Sequence, residues 1–188
     1  MRIVGGALRG RRLTAPAGRN TRPTADRARE GLFNILAHGS AFAAFSLAGA
    51  QVVDGFAGTG ALGLEALSRG AGHVTFFETD PAARDALRHN IEALDQDDRA
   101  EILARSVTMP GPAPRAAQLI LLDPPYGEAL ADPALTGLAE SAWLAADAIV
   151  VVEQAANQTF EAAADFDMID SRRYGSASFA FLRFSGAH

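Results

Sequence analysis

One short stretch of the chain joins a buried strand to groups that could hold a planar ring. Residues 119–122 are four consecutive apolar residues, which is typical of a strand buried on both faces of a parallel sheet. The residues that follow at the end of this strand are Asp123, Pro124, Pro125 and Tyr126. The two prolines fix successive φ angles and donate no N–H, so nearby carbonyls remain as acceptors, and the tyrosine adds an aromatic face. These four residues are our candidate catalytic residues, and they suit a ring that carries an amino group.

A second stretch has the spacing of a small-molecule binding loop. Residues 52–63 indicate a strand and a glycine-rich turn into a helix, and three glycines have the G-x-G-x-x-G spacing: Gly58, Gly60 and Gly63. A nicotinamide dehydrogenase has the same spacing, with Glu78 after the next strand as its ribose ligand. Asp54, however, puts a carboxylate at the mouth of the loop, where a pyrophosphate would be repelled and an ammonium group attracted. S-adenosylmethionine has an ammonium group, a ribose and no phosphate, and it therefore fits better.

The elements that must position these stretches alternate between strand and helix. Strands are predicted over residues 51–54, 73–78, 100–104, 118–122 and 148–153, with helices beginning near Gly60, Pro81 and Asp132. Such alternation predicts a parallel sheet covered by helices on both faces. Residues 166–172 and 178–184 are expected to form an antiparallel hairpin at its edge. The predicted fold is thus α/β, a seven-stranded, mostly parallel sheet whose ligands bind beyond the carboxyl ends of the strands.

The N-terminal part of the chain is basic, although the net charge of the whole chain is -5. Residues 1–30 contain eight arginines and two acidic residues. We expect a small hairpin over residues 2–14, an amphipathic helix from Thr24 to about Ala37, and a second short helix over residues 40–48 capped by Ser40. The candidates for binding RNA phosphates are Arg2, Arg9, Arg11, Arg12, Arg22 and Arg27. Ordinary solvated surface is the alternative interpretation of this cluster.

Composition bounds the remaining possibilities. A chain of 188 residues is expected to form one domain, with residues 1–38 as a basic arm and residues 40–188 as a catalytic core. The absence of cysteine from the sequence excludes disulfides, thiolate zinc sites and thiol catalysis. Apolar runs are too short for a membrane helix, and the four histidines lack ligand spacing. We therefore expect a cytoplasmic monomer without a membrane or metal partner.

With both motifs in view, the chain resembles class I S-adenosylmethionine-dependent methyltransferases of the Asp-Pro-Pro-Tyr group. It resembles more closely the RsmD family of bacterial 16S rRNA guanine-N2 methyltransferases. The matching segments are residues 1–6, 9–11, 21–24, 27–36, 54–71, 123–126 and 174–175. The N-terminal segments discriminate most, because adenine-N6 and glutamine methylating enzymes share Asp-Pro-Pro-Tyr. The resemblance implies a Rossmann-like fold and methylation of a guanine amine in 16S rRNA or an assembling small ribosomal subunit.

The resemblance also implies roles for individual residues. Residues 123–126 would face the target amine, and Glu78 would bind the cofactor ribose. The candidate cofactor-binding residues are Asp54, Phe56, Ala57, Gly58, Thr59, Gly60, Glu78, Thr79 and Ser106. Residues 105–107 read Arg-Ser-Val where the family usually has an acidic contact to adenine, and Gly55 replaces a usual leucine. Gly31 lies inside a predicted helix, where glycine costs about 1 kcal/mol relative to alanine.

Three other functions stay open at the level of sequence. An adenine-N6 methyltransferase acting on DNA or RNA would use the same Asp-Pro-Pro-Tyr motif. A nicotinamide dehydrogenase would use the same glycine spacing, and it would be stabilised by NADH rather than by S-adenosylhomocysteine. A non-catalytic RNA-binding assembly factor could keep the fold and bind RNA without transferring a methyl group.

Overall fold

The computed structural model describes residues 1–15, 23–125, 127–158 and 160–186. Its strands are β1 (Gln51–Gly55), β2 (His73–Phe77), β3 (Ala100–Leu103), β4 (Ala117–Leu122), β5 (Leu144–Ala155), β6 (Phe166–Tyr174) and β7 (Ala177–Phe184). They form one sheet in the order β3-β2-β1-β4-β5-β7-β6. β1 to β5 are parallel, whereas β7 is antiparallel to both β5 and β6. The predicted α/β fold with a C-terminal hairpin is confirmed.

The helices are α1 (Pro23–His38), α2 (Ala61–Ser68), α3 (Pro81–Ala93) and α4 (Ala131–Glu140). The start of α3 follows from its sequence, because the Asp80 side chain accepts a hydrogen bond from the Ala83 amide (2.9 Å) and Pro81 occupies the first turn. The predicted helix over residues 40–48 is wrong, since only a 3-10 turn forms, at Ser40–Phe42. Ser40 lies inside that turn and does not cap it; the turn serves to bury Phe42 against the sheet.

Side chains alternate between two cores, one on each face of the sheet. Val52, Leu121 and Val151 belong to one apolar cluster, and their neighbours in sequence belong to the other. The first core also contains apolar side chains of α1, α2 and α3, whereas α4 contributes to the second. The strands are therefore covered on both faces, as continuous apolar strands of a parallel sheet require. Within the described ranges, no helix is both long and apolar enough to cross a membrane.

The N-terminal hairpin forms and is docked on the main body. Its two arms meet at an antiparallel bridge between Arg2 and Arg12. At the turn, the Ala7 amide donates to the Ser68 carbonyl at the end of α2 (2.7 Å). Gly6 has φ +75°, and a Cβ built there would lie 1.9 Å from the same carbonyl oxygen. Gly6 is thus required both by backbone conformation and by close approach to α2.

A buried ionic cluster joins the hairpin, α1 and α2. Glu65 on α2 is fully buried, and its carboxylate accepts hydrogen bonds from the Val4 amide (2.8 Å) and the Arg69 guanidinium (2.7 Å). The Arg29 guanidinium lies 3.6 Å from the same carboxylate and pairs with Asp26 at 2.8 Å. Because Arg29 is only 4% exposed, it holds α1 in place and is not part of the exposed basic surface.

Gly31 has a packing role that its helical position conceals. A Cβ at Gly31 would lie 2.5 Å from the ring of Tyr174, at the end of β6. The glycine therefore lets α1 approach the C-terminal hairpin, and this contact accounts for an otherwise unfavourable residue inside a helix.

Candidate active site

The candidate site lies at the carboxyl ends of the strands, where the strand order changes direction. β1 has β2 on one side and β4 on the other. Gly55 is paired with Leu122, so Asp123 comes directly after the last paired residue of β4. A Cβ at Gly55 would lie 2.6 Å from the end of the Leu122 side chain, so a larger residue there would require Leu122 to move. A cavity of about 800 Å³ opens at this point, within the range of about 300–1,000 Å³ that is usual for small-molecule sites.

The loop between β1 and α2 forms one wall of this cavity in a left-handed conformation. The positive φ angles occur at Phe56 (63°), Gly58 (55°) and Gly60 (81°). Positive φ is uncommon for a residue with a side chain, and such strain is concentrated at binding sites. A Cβ at Gly60 would lie 2.3 Å from the Leu87 side chain on α3, so the loop is pressed against that helix. All the predicted loop residues except Gly60 line the cavity, namely Phe56, Ala57, Gly58 and Thr59.

Asp54 lies beneath the loop and accepts a hydrogen bond from the Gly63 amide in the first turn of α2 (2.8 Å). The carboxylate thus occupies the helix N-terminus, where a pyrophosphate would otherwise bind. Asp54 is only 1% exposed. This burial raises the pKa of the Asp54 carboxyl well above its ordinary value, and the hydrogen bond from the Gly63 amide opposes the shift. The negative charges of Asp123 and Glu78 raise the pKa further. A positively charged ligand group would relieve this concentration of carboxylates.

Glu78 follows β2 and closes the opposite side of the loop. One carboxylate oxygen accepts from the Gly58 amide (2.6 Å), and the other accepts from the Asp80 amide (2.7 Å). Each oxygen can accept a second hydrogen bond. The side chain is therefore held rigidly at the cavity wall, and its oxygens can still accept hydrogen bonds from the hydroxyl groups of a ribose.

The far end of the cavity has polar but uncharged acceptors near Ser106. The Ser106 hydroxyl lies 2.8 Å from the Thr108 hydroxyl, and the Arg105 guanidinium stands 6.0 Å from the centre of the Phe77 ring. Thr79 also lines this end. An adenine ring bound here would meet hydroxyl groups and an arginine in place of the usual acidic residue.

Two residues of the motif, Pro124 and Pro125, line both the large cavity and a second one. Asp123 lines the large cavity, and a neighbouring cavity of about 330 Å³ shares three residues with it: Pro124, Pro125 and Glu128. The Pro125 carbonyl accepts a hydrogen bond from the Glu128 amide (3.2 Å), so the local turn uses part of its capacity as an acceptor. Tyr126 lies outside the described residues. The two prolines of the motif thus lie where the two cavities adjoin.

Three of the arginines predicted to bind RNA surround one cleft. Arg2, Arg9 and Arg27 line a hollow of about 340 Å³ between the hairpin and α1. Arg12 is exposed and stands opposite Arg2 in the hairpin bridge. Arg11 donates a hydrogen bond to the Ala93 carbonyl and is tied to α3. Arg22 lies outside the described residues.

Comparison with known proteins shows which family the chain belongs to. A family model described as conserved hypothetical protein 95, which represents the RsmD family, matches residues 1–183. The chain belongs to the RsmD family. Ribosomal RNA small subunit methyltransferase D of Escherichia coli K12 is 37% identical over 153 residues, covering 81% of this chain and 74% of the relative. The protein of the same name from Haemophilus influenzae is 33% identical and covers 95% of this chain and 91% of the relative.

Solved structures agree with this membership. Escherichia coli yhhF shares 32% identity, with a TM-score of 0.82 and coverage of 100% of this chain and 99% of that one. Pyrococcus horikoshii TYW2 in complex with MeSAdo shares the fold alone, at 18% identity and a TM-score of 0.62, covering 91% of this chain and 67% of that one. The fold of this RsmD-family chain is therefore a Rossmann-like methyltransferase fold.

Some residues around the site could not be found from the sequence motifs. Met1 and Ala15 line the large cavity although they belong to the N-terminal segment. Asn90 on α3 is buried, and its side-chain amide donates a hydrogen bond to the Thr59 carbonyl in the loop between β1 and α2. Its one signal in the sequence is a polar residue beside Leu87 and Ile91 on the apolar side of a helix. In the part of the chain that the structure describes, no group of three or more potential metal ligands occurs.

Proposed function

We propose that the protein transfers a methyl group from S-adenosylmethionine to the exocyclic N2 amine of a guanine in 16S ribosomal RNA. The observation that carries the proposal is that Pro124 and Pro125 line both a second cavity and the cofactor-sized cavity that Asp123 also lines. Membership of the RsmD family supports it, since the relatives from Escherichia coli and Haemophilus influenzae are named ribosomal RNA small subunit methyltransferase D. This arrangement would allow two reactants to meet at the motif from opposite sides.

The residues of the large cavity suit the cofactor that this reaction requires. Asp54 offers negative charge near the bound ammonium group, and the Glu78 carboxylate is held in position to accept from the ribose hydroxyls. Residues 56–59 would bring backbone close to the ligand, and Ser106 and Thr79, which line the same cavity, are the proposed contacts to adenine. When bound, S-adenosylmethionine supplies a methyl group on a positively charged sulfur.

Asp123 and the Pro124 carbonyl would orient the target amine. The lone pair of the guanine amine is delocalised into the ring, so the nitrogen is a weak nucleophile. If these two acceptors bind its two N–H groups, the nitrogen can become pyramidal and direct its lone pair at the methyl carbon. The bound S-adenosylmethionine would supply the methyl group and would leave as S-adenosylhomocysteine. Asp123 would accept the proton that the methylated amine releases and would pass it to water. Positioning would supply much of the rate enhancement.

The arginine-bearing hairpin would hold the RNA around the target base. Arg2 and Arg12 face each other across a bridge flanked by the Ile3–Arg11 and Leu13–Met1 hydrogen bonds. Like charges directly opposite one another destabilise a strand pair. Asp26 lies 3.7 Å from the Arg2 guanidinium and offsets part of this repulsion. A bound phosphate would offset more of it, and Arg9 and Arg27 line the same cleft as Arg2, together with Asp26 and Glu30. These four residues, with Arg11 and Arg22, are the proposed phosphate contacts.

A methylation assay with matched variants tests the proposal. The purified protein is incubated with labelled S-adenosylmethionine and 16S rRNA from cells that lack the gene, and the product nucleoside is identified by mass spectrometry. We expect N2-methylguanosine. Asp123→Asn should lower turnover at least about a hundredfold because a neutral amide replaces the charged acceptor that takes up the amine proton, while its affinity for S-adenosylhomocysteine stays within about threefold of wild type.

Asp98→Asn is the matched control, because Asp98 is an exposed carboxylate outside the residues that line either cavity. This variant should retain most of the activity. N6-methyladenosine as the product would establish the adenine-N6 alternative, and full turnover by Asp123→Asn would remove that carboxylate from the mechanism.

A further inference from the structure

Helix α3 contacts two segments: the loop between β1 and α2, at Thr59, and the end of the basic hairpin, at Thr14. Asn90, on the inner side of this helix, is only 1% exposed. Its carbonyl oxygen accepts a hydrogen bond from the Thr14 amide (2.7 Å), and its amide nitrogen donates to the Thr14 carbonyl (3.0 Å). The same nitrogen donates to the Thr59 carbonyl at 3.0 Å. One side chain thus joins two segments that are 45 residues apart in the sequence.

The amide of asparagine matches these three partners in a way that similar side chains cannot. Its NH₂ group has two hydrogens for the two carbonyls, and its oxygen accepts the single N–H. An aspartate would place negative charge against both carbonyl oxygens, and a leucine of similar size would leave three backbone groups unpaired. Removing the partner of a buried polar group is costly. The sequence therefore keeps a polar residue where helix packing alone would favour an apolar one.

Both segments held by Asn90 also reach the cofactor cavity and the basic hairpin. Thr59 lines the large cavity, and so does Ala15, the neighbour of Thr14. On the other side, Leu13 donates to the Met1 carbonyl (3.0 Å), which continues the hydrogen bonding into the hairpin that carries the arginines. Phe56 has a positive φ (63°) in this loop, which is strained for a residue with a side chain. A ligand that stabilises the loop in this conformation therefore also favours the position of the Thr59 carbonyl opposite Asn90.

We propose that Asn90 is a positioning residue that couples the cofactor site to the RNA-binding hairpin, so that each ligand strengthens the binding of the other. This inference rests on the proposed function, because it requires that the large cavity binds S-adenosylmethionine and the hairpin binds RNA. Coupling between two sites is reciprocal, so the cofactor changes the RNA affinity by the same factor as the RNA changes the cofactor affinity.

The test measures that factor directly. The dissociation constant of unmethylated 16S rRNA is measured with and without saturating S-adenosylhomocysteine. For the wild-type protein we expect RNA to bind about tenfold more tightly when the cofactor product is present, within the usual range for coupled sites. For Asn90→Leu the ratio should fall to about one, because the link to both backbone segments is lost.

Two further variants separate coupling from a general loss of stability. Gln96→Leu removes a buried amide that donates to the Leu94 and Asp95 carbonyls just beyond α3 and accepts from the Arg99 guanidinium, so these side-chain hydrogen bonds go to neither the loop nor the hairpin segment. It should keep the wild-type ratio. Thr14→Pro removes one N–H donor at an exposed position and leaves the core intact, and it should lower the ratio at least about threefold.

The outcomes distinguish the inference from the function beneath it. If the wild-type protein binds both ligands and transfers methyl, but Asn90→Leu and Thr14→Pro keep the wild-type ratio, the coupling role is refuted. Equal loss of coupling in Gln96→Leu would also refute it, since the effect would then follow stability alone. If wild-type protein binds neither RNA nor S-adenosylhomocysteine, the proposed function itself fails.

Discussion

Two glycines in the N-terminal hairpin provide a matched test of how tightly it is docked. Gly6 and Gly10 both have positive φ, +75° and +88°. A Cβ at Gly10 would meet nothing within 4 Å, whereas a Cβ at Gly6 would lie 1.9 Å from the Ser68 carbonyl oxygen. Gly10→Ala should therefore cost only the left-handed backbone, about 1–2 kcal/mol in the free energy of unfolding. Gly6→Ala has the same backbone cost and also forces the hairpin away from α2.

The additional cost of Gly6→Ala follows from the contacts that it breaks. Three hydrogen bonds dock the turn: Ala7 amide to Ser68 carbonyl (2.7 Å), Leu8 amide to Ser68 hydroxyl (2.9 Å), and that hydroxyl to the Gly5 carbonyl (2.6 Å). At about 1 kcal/mol each, their loss adds about 3 kcal/mol to the backbone cost.

Urea unfolding followed by the fluorescence of Trp143, the single tryptophan, measures the difference between the two variants. Hydrogen exchange gives an independent local readout. The amides of Ala7 and Leu8 should stay protected in Gly10→Ala and exchange freely in Gly6→Ala. Equal unfolding free energies, together with equal protection of these amides, would refute the docking argument.

Further expectations concern the cofactor site and the basic surface. Glu78→Gln should weaken binding of S-adenosylhomocysteine about 10–100-fold in calorimetry, because two charge-assisted hydrogen bonds that fix the side chain are weakened; an unchanged affinity would contradict the ribose role. Burial raises the pKa of Asp54 above its unfolded value of 3.8, so ionisation destabilises the folded state increasingly as pH rises from that value through the folded pKa. The free energy of unfolding of Asp54→Asn, relative to that of the wild-type protein, should therefore increase as pH rises across that range. If the difference between the two proteins did not change with pH, the raised pKa of Asp54 would be contradicted. Replacing Arg9 and Arg12 with serine should reduce the slope of log affinity for RNA against log salt by about 1.5, whereas Arg88→Ser on α3 should leave the slope unchanged; equal slopes in all the variants would make the hairpin ordinary surface.

Strand positions and the acidic residues at their ends were predictable because the signals are local. Four apolar residues before Asp123, and a strand followed by glycines after Asp54, predict element and position together. The carboxyl ends of parallel strands share one edge, so Asp54, Glu78 and Asp123 could be placed near each other before any coordinates. The antiparallel hairpin at the sheet edge was predicted from Tyr174-Gly175 between two extended segments, residues 166–172 and 178–184.

Features that depend on distant contacts were not predictable from local pattern. The charge of Arg29 resembles that of its exposed neighbours, and only the fold places it against Glu65. Gly31 is unfavourable by propensity, and the reason lies 143 residues away at Tyr174. The expected helix over residues 40–48 failed because burial of Phe42 needs just one turn. In each case, tertiary packing overrides a local preference.

The buried cluster around Glu65 has a consequence for anyone who recombines parts of related enzymes. A carboxylate with no access to water cannot lose one of its donors cheaply. Cutting the first dozen residues away would strip Glu65 of the Val4 amide and uncover the Arg29 and Arg69 guanidinium groups. A chimera that exchanges the basic hairpin between family members will fold well only if helices α1 and α2 come from the same parent as the hairpin. The hairpin and these two helices therefore form the smallest segment that can be exchanged.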